Sequence, residues 1–306
     1  MNVIDQYSTD RYTLINGDTT EIIKGIPDDS IGLSIYSPPF SSLYTYSNSD
    51  RDLGNSRNDE EFFTHFAFIV KELYRIMKGG RIMAVHCMNL PTSKERDGYI
   101  GIRDFRGDLI RLFQDSGFIY QAEVCIWKNP VTAMQRTKAL GLLHKQLKKD
   151  SCLSRMGIPD YVIFMRKPGE NLERVTHTNE NFPVDLWQDY ASPIWDEYNT
   201  PVWWDINQSN TLNRMFSDEE SERHICPLQL DVIERCIKMY SNEGDTVFTP
   251  FLGIGSEVYQ AVKMGRKGIG IELKREYFEQ AKKNLQMLDD ADKQINLFDY
   301  MSNLLV

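Results

Sequence analysis

The sequence predicts an α/β fold, a largely parallel sheet with helices on both faces, on three observations. Short apolar runs alternate with stretches of helical periodicity along most of the 306 residues. A Gly-x-Gly turn, Gly253-Ile254-Gly255, stands between one such run and the helical stretch after it. An acid, Glu272, closes the next apolar run, where a strand of such a sheet would end. The length suffices for one large core or two modest domains. The 41% hydrophobic content is ordinary for a globular chain.

Taken in order, residues 12–15 and 31–36 read as strands, with a short helix at 19–24 between them. Apolar positions at helical spacing over 62–77 predict a helix, which Lys78-Gly79-Gly80 would stop. Residues 81–86 form a strand, 104–116 a helix stopped by Gly117, and 118–127 and 161–165 two further strands. Residues 230–240 are a helix. The C-terminal part then reads strand 246–248, helix 257–264, strand 268–271, helix 274–288. Two regions break the rhythm. One is 128–157; the other, 168–222, opens with a polar stretch at 169–181 and carries Trp187, Trp195, Trp203 and Trp204, four of the five tryptophans. There is no internal repeat.

Composition narrows the class. No stretch approaches the roughly 20 apolar residues of a membrane span, and the polar, acidic first ten residues are no signal peptide. Five cysteines, at 87, 125, 152, 226 and 236, are odd in number, and none pair as Cys-x-x-Cys. Neither a disulfide framework nor a metal site is expected, and a reduced cytoplasmic compartment fits. The net charge of −9 argues against a nucleic-acid partner when taken as an average. Residues 128–157 oppose that average. Lys128, Arg136, Lys138, Lys145, Lys148, Lys149 and Arg155 face one acid there, Asp150, a net +6 in 30 residues.

Four motifs carry chemistry. Ser37-Pro38-Pro39-Phe40 follows the apolar strand 31–36, where open α/β sheets place their sites. Its prolines fix the backbone and remove two N–H donors, leaving a segment rich in acceptors. Those acceptors suit an exocyclic amino group, a double donor whose lone pair is delocalised into its ring. Held by both hydrogens, such a nitrogen can become more tetrahedral and attack a methyl sulfonium in line. Phe40 offers a face for a base drawn out of a helix. Phe251-Leu252-Gly253-Ile254-Gly255-Ser256 lets backbone approach a ligand at a helix N-terminus, and Glu272 stands where an acid binds the ribose of an adenosyl cofactor. A nicotinamide cofactor would follow the same logic, but its third glycine is replaced by Val258. His224-Ile225-Cys226-Pro227-Leu228-Gln229 introduces a helix, and Asn16-Gly17-Asp18 is a turn signal.

In this order, with Trp127-Lys128 between, the motifs resemble those of the amino-DNA methyltransferases of the beta arrangement, whose catalytic half precedes the cofactor half, as in DNA methylases of phages and prophages. The resemblance spans 16–290. It implies a Rossmann-like, S-adenosylmethionine-dependent methyltransferase fold with a mostly parallel seven-stranded sheet and inserted DNA-recognition segments. It divides the chain into a catalytic half at 1–127, a basic DNA-contacting insert at 128–157, a strand at 158–167, a target-recognition region at 168–222 and a cofactor half at 223–306. Ser37, Pro38, Pro39 and Phe40 would be catalytic. Asp18, Pro227, Gln229, Thr249, Phe251, Gly253, Gly255, Ser256 and Glu272 would bind S-adenosylmethionine. Lys128, Arg136, Lys138, Lys145, Lys148, Lys149 and Arg155 would meet DNA. The expected partner is DNA, with no membrane, and a homodimer is left open.

One departure stands out: Thr249-Pro250-Phe251 has threonine where the family usually has aspartate, with Glu257 close by as a substitute. Cysteine-dependent C5 methylation does not fit Cys226-Pro227, and glutamine methylation does not fit Ser37. A serine before Pro-Pro tends to accompany cytosine N4 in this family. Adenine N6 and a catalytically inactive DNA-binding homologue stay as alternatives.

Overall fold

The computed structural model describes residues 3–40, 53, 56, 59–129, 131, 148–149, 157–191, 202–212 and 227–304. The chain opens with β1 (Val3–Ser8), β2 (Tyr12–Gly17), α1 (Thr19–Ile22) and β3 (Ile31–Tyr36). α2 (Asp59–Ile76), β4 (Met77–Met88), a small hairpin of β5 (Leu90–Pro91) and β6 (Ile102–Arg103) enclosing α3 (Lys94–Asp97), α4 (Phe105–Asp115), β7 (Ile119–Ile126) and β8 (Asp160–Arg166) follow. α5 (Val184–Ala191) and β9 (Val202–Trp203) lead to α6 (Leu230–Tyr240), β10 (Thr246–Thr249), α7 (Ser256–Lys263), β11 (Lys267–Glu272) and α8 (Arg275–Leu304).

Among the described residues one sheet holds nine strands, in the order β1-β2-β11-β10-β3-β4-β8-β7-β9. From β2 to β4 every neighbour is parallel. β8 runs antiparallel to β4 and to β7. The expected seven strands are the body from β2 to β7, and β1 and β9 are added at its two edges. β1 escapes sequence reading because its side chains alternate between exposed and half-buried, so no apolar run marks it. β9 is only two residues long, and its Trp203 is fully buried and donates its indole N–H to the Tyr190 carbonyl at 2.8 Å.

Helices cover both faces because the central strands are apolar on both. All six residues of β3 are buried. On one side Phe62, Phe66, Val70 and Leu73 of α2 pack with Tyr36, Met83 and Val85. On the other Val232, Ile233 and Ile237 of α6 pack with Leu33, Ile35 and Ala84. β4 therefore alternates its side chains between two cores. Asp104 caps α4, accepting from the Gly107 N–H at 3.0 Å.

The glycine pair after α2 corrects one expectation. Lys78-Gly79-Gly80 does not separate helix from strand: α2 passes directly into β4, and these residues lie inside it. The ladder pairs Ile31 with Met77 and then Leu33 with Ile82, so β4 carries extra residues opposite a short stretch of β3. Gly80, at φ +72°, supplies the kink, and its N–H donates to the Lys167 carbonyl at 2.9 Å.

α7 rests on β11 through a bare backbone. A β-carbon at Gly268 would stand 2.5 Å from Val258 Cγ1 and 3.2 Å from Val258 Cβ. Gly268→Ala is therefore expected to lower stability by about 1–3 kcal/mol, the usual range for overpacking. Urea denaturation measures it. An unshifted midpoint would mean that α7 can slide along the sheet.

Candidate active site

Parallel strands bring their carboxyl ends to one edge of the sheet, and the motifs meet there. β2 ends beside Asp18, β3 runs into Ser37-Pro38-Pro39-Phe40, β10 into Pro250-Phe251, and β11 ends at Glu272. These residues line one cavity of about 180 Å³, together with Gly253, Ser256, Glu257, Pro227 and Leu228 at the head of α6, and Lys274 and Tyr277. The catalytic and cofactor motifs, more than 200 residues apart in the chain, thus share one continuous wall.

Two carboxylates shape the cofactor side. Glu272 accepts the Gly253 N–H at 2.7 Å and the Lys274 N–H at 2.9 Å, tying the glycine loop to the end of β11. Asp18 caps α1, accepting the Thr20 N–H at 2.9 Å and the Thr20 hydroxyl at 2.7 Å. The Thr19 hydroxyl donates to the Pro250 carbonyl at 2.7 Å, so the β2 and β10 turns are held together. Gly255 is the N-cap of α7, at φ +93°, and a β-carbon there would stand 3.1 Å from Ala281 Cβ. Phe251 packs between Tyr36 and Phe66, with ring centroids at 5.8 and 6.0 Å. On the catalytic side Phe40 is half-buried and meets Phe105 edge-on at 6.4 Å.

Three expected cofactor residues are off the wall of this cavity. Gln229 is buried and its amide donates to Gln208 at 3.2 Å. Thr249 is fully buried, its hydroxyl accepting the Phe251 N–H at 3.4 Å. Gly255 lies beneath the loop and against α8. The threonine thus serves the turn itself, while Glu257, in the first turn of α7, reaches the wall. Glu257 is 5% exposed, and burial pushes its carboxyl up to about 8, helped by the nearby Glu272 charge, while its own backbone N–H opposes the rise.

The basic residues divide differently from expectation. Lys128 is turned onto buried Asp160 in an ion pair, which occupies the charge expected to meet a phosphate. Lys148 and Lys149 are exposed. Arg136, Lys138, Lys145 and Arg155 lie outside the described residues, as do Trp195, His224 and Cys226. Trp203 is core, whereas Trp187 and Trp204 are each 45% exposed. Sequence reading missed His86 and Asp160, which stand behind Ser37. A histidine at the carboxyl end of the apolar strand 81–86 was the available signal. Among the described residues no helix is long and apolar enough to cross a membrane, and no cluster of His, Cys, Asp and Glu could hold a metal ion.

Residues 31–283 match the family model described as DNA methylase. The chain is 23% identical over 286 residues to the DNA adenine methyltransferase YhdJ of Escherichia coli (strain K12), covering 94% of this chain and 85% of the other. Among solved structures, PvuII DNA methyltransferase, described as cytosine-N4-specific, superposes with a TM-score of 0.64 at 17% identity, over 92% of this chain and 90% of that one. A DNA modification methylase of Thermus thermophilus, in complex with S-adenosyl-L-methionine, gives 0.63 at 20% identity, over 89% and 93%. At these identities the superpositions speak for the fold.

Glu257 generates a stability test. Its carboxyl is harder to ionise folded than unfolded, so stability is full below about pH 4.5 and falls as pH rises through about 8. Glu257→Gln stays neutral and escapes that loss. The variant should match the parent near pH 4.5 and exceed it above pH 8, by an amount on the order of a few kcal/mol at ~1.4 kcal/mol per pKa unit. Thermal melts without ligand at both pH values check this. Equal melting at pH 8 would mean that the ionised carboxylate is already compensated.

Proposed function

Since the chain belongs to the DNA methylase family, we propose that it methylates N4 of a cytosine turned out of DNA into the cavity beside Ser37. At the coarser level it is a DNA amino-methyltransferase of the N4-cytosine or N6-adenine type, and S-adenosylmethionine is its methyl donor. The observation that carries the reading is the shared wall: Ser37 to Phe40 and Gly253 to Glu272 line the same cavity. An amino nitrogen held at one end can face a methyl donor held at the other.

The residues fit an adenosyl ligand with a cationic end. Among the described residues nothing lies within 4 Å of where a side chain at Gly253 would start, which leaves the loop backbone open to close approach. The cavity wall combines the Asp18 and Glu272 carboxylates with apolar Pro250, Phe251 and Ile254. Glu257 is a buried carboxyl that an ammonium would ionise, which suits it to stand in for the family aspartate replaced by Thr249. When bound, S-adenosylmethionine supplies a methyl group made electrophilic by its sulfonium.

The protein's part is positioning. Ser37 and the proline-fixed carbonyls accept the amino hydrogens, and Phe40 stacks on the base. Serine in place of an acid before Pro-Pro supports cytosine over adenine. Exposed Lys148 and Lys149 in the basic insert, and Trp187 and Trp204 in the region 168–222, would contact DNA.

Three measurements test the reading. Mass spectrometry of nucleosides from DNA incubated with the protein and S-adenosylmethionine should show N4-methylcytosine. N6-methyladenine would reassign the base, and no product despite cofactor binding would leave a binding protein. Phe40→Ala should lower turnover by the ~1–3 kcal/mol of one stacked base while cofactor affinity holds. Lys148→Ala with Lys149→Ala should flatten the salt dependence of DNA binding by about one slope unit per lost phosphate contact; an unchanged slope would make the insert a solvated face.

A further inference from the structure

Behind Ser37 lies a chain of polar side chains that base stacking and cofactor binding leave unexplained. Ser37 is on the cavity wall. His86, near the end of β4, places Nδ1 3.2 Å from Ser37 Oγ. Its Nε2 is 2.9 Å from Oδ2 of Asp160, the first residue of β8. Asp160 is 1% exposed, and the same Oδ2 takes the Lys128 ammonium. Oδ1 has no hydrogen-bond partner among the described residues. Burial alone would push the Asp160 carboxyl up, but the attraction of, and the hydrogen bonds from, His86 and Lys128 outweigh it and hold it below the ordinary value.

A core does not require this arrangement. β4 and β8 pair along seven residues by backbone alone, and a buried carboxylate held between an ammonium and an imidazole costs desolvation that apolar residues would avoid. The alignment of hydroxyl, imidazole and carboxylate matches the general logic in which a buried acid fixes a histidine tautomer. Asp160, an acceptor, requires the hydrogen on Nε2. Nδ1 is then a lone pair and accepts the Ser37 hydroxyl hydrogen. That orientation turns the lone pairs of Ser37 Oγ outward, where an amino hydrogen can reach them.

We propose that Asp160 and His86 are positioning residues that orient Ser37 as an acceptor for the target amino group and take the proton it must lose. The proposal rests on the reading of Ser37 as the base-holding residue. As the amino nitrogen takes the methyl group, an N–C bond forms and the C–S bond breaks, its electron pair staying on sulfur. The nitrogen then sheds one proton to Ser37 Oγ while the Ser37 hydroxyl proton passes to His86 Nδ1. The resulting imidazolium sits against the Asp160 carboxylate and releases its proton to solvent before the next turnover. Lys128 neutralises part of the Asp160 charge from the other side of the carboxylate.

Two measurements decide. Nitrogen-15 NMR of the free protein, with the His86 ring assigned by through-bond correlation to its own backbone resonances, should show the Nε2–H tautomer; an Nδ1–H tautomer would overturn the proposal without any active-site variant having to fold. Asp160→Asn can donate to Nε2 and so reverse the tautomer. It should lower kcat by about 10²-fold or more, the scale of a lost acid–base contribution, with KM for S-adenosylmethionine unchanged. In a Ser37→Ala background the same change should have little further effect, because the relay acts only through that hydroxyl. If Asp160→Asn cuts turnover equally in both backgrounds, its role is structural and the proposal falls. A parent protein that yields no methylated nucleoside removes the functional reading as well, whereas an active parent with an indifferent Asp160→Asn removes only the relay.

Discussion

The Glu272 carboxylate is the contact on which the site is organised. One of its oxygens holds the Gly253 N–H and the other the Lys274 N–H, at the end of a strand that lies between β2 and β10. A glycine loop has little stiffness of its own, because each glycine gives up more backbone freedom on ordering than any other residue. Anchoring it to the end of a buried parallel strand offsets that cost. It also leaves loop backbone open toward the cavity at Gly253. The same carboxylate raises the cost of ionising Glu257, so the two acids next to the loop cannot easily be charged together unless a cation joins them.

Much of this was legible in the sequence, and for particular reasons. β3 is buried on both faces and β11 largely so, and their ends are marked by Ser37 and Glu272. α6 was found at its full extent, since Gln229 breaks the helical backbone before it and Ser241 after it. The order of short motifs, rather than any one of them, carried the resemblance that the family match at 31–283 bears out. The alternation of strand and helix likewise leads to the nine-stranded sheet by way of its seven-stranded body.

What stayed hidden depends on tertiary context. Gln229 and Thr249 belong to recurring motifs, yet both turn into the protein, and a motif's register along the chain does not say which side chain faces a ligand. Lys128 counts as one more positive charge in a basic stretch until Asp160, 32 positions on, is brought under it. His86 and Asp160 lie on antiparallel strands separated by the whole basic insert, so no spacing in the sequence pairs them. Trp203 looks like a surface aromatic in a tryptophan-rich segment and is instead a fully buried plug.

That plug has a further consequence for how the molecule keeps to itself. A sheet this wide ends in two margins, and an unpaired margin is a template on which another chain can add a strand. At one end the short β9 caps β7 at Cys125 and Ile126, and the part of β7 with no outer strand among the described residues includes Gln121 and Glu123. At the other, β1 is outward-facing and carries Asp5 and Gln6. The strongly apolar strands, the ones that would adhere to almost anything, are kept to the interior of the row. Two modest segments thus act as selvedges, finishing a fabric that would otherwise unravel into aggregates.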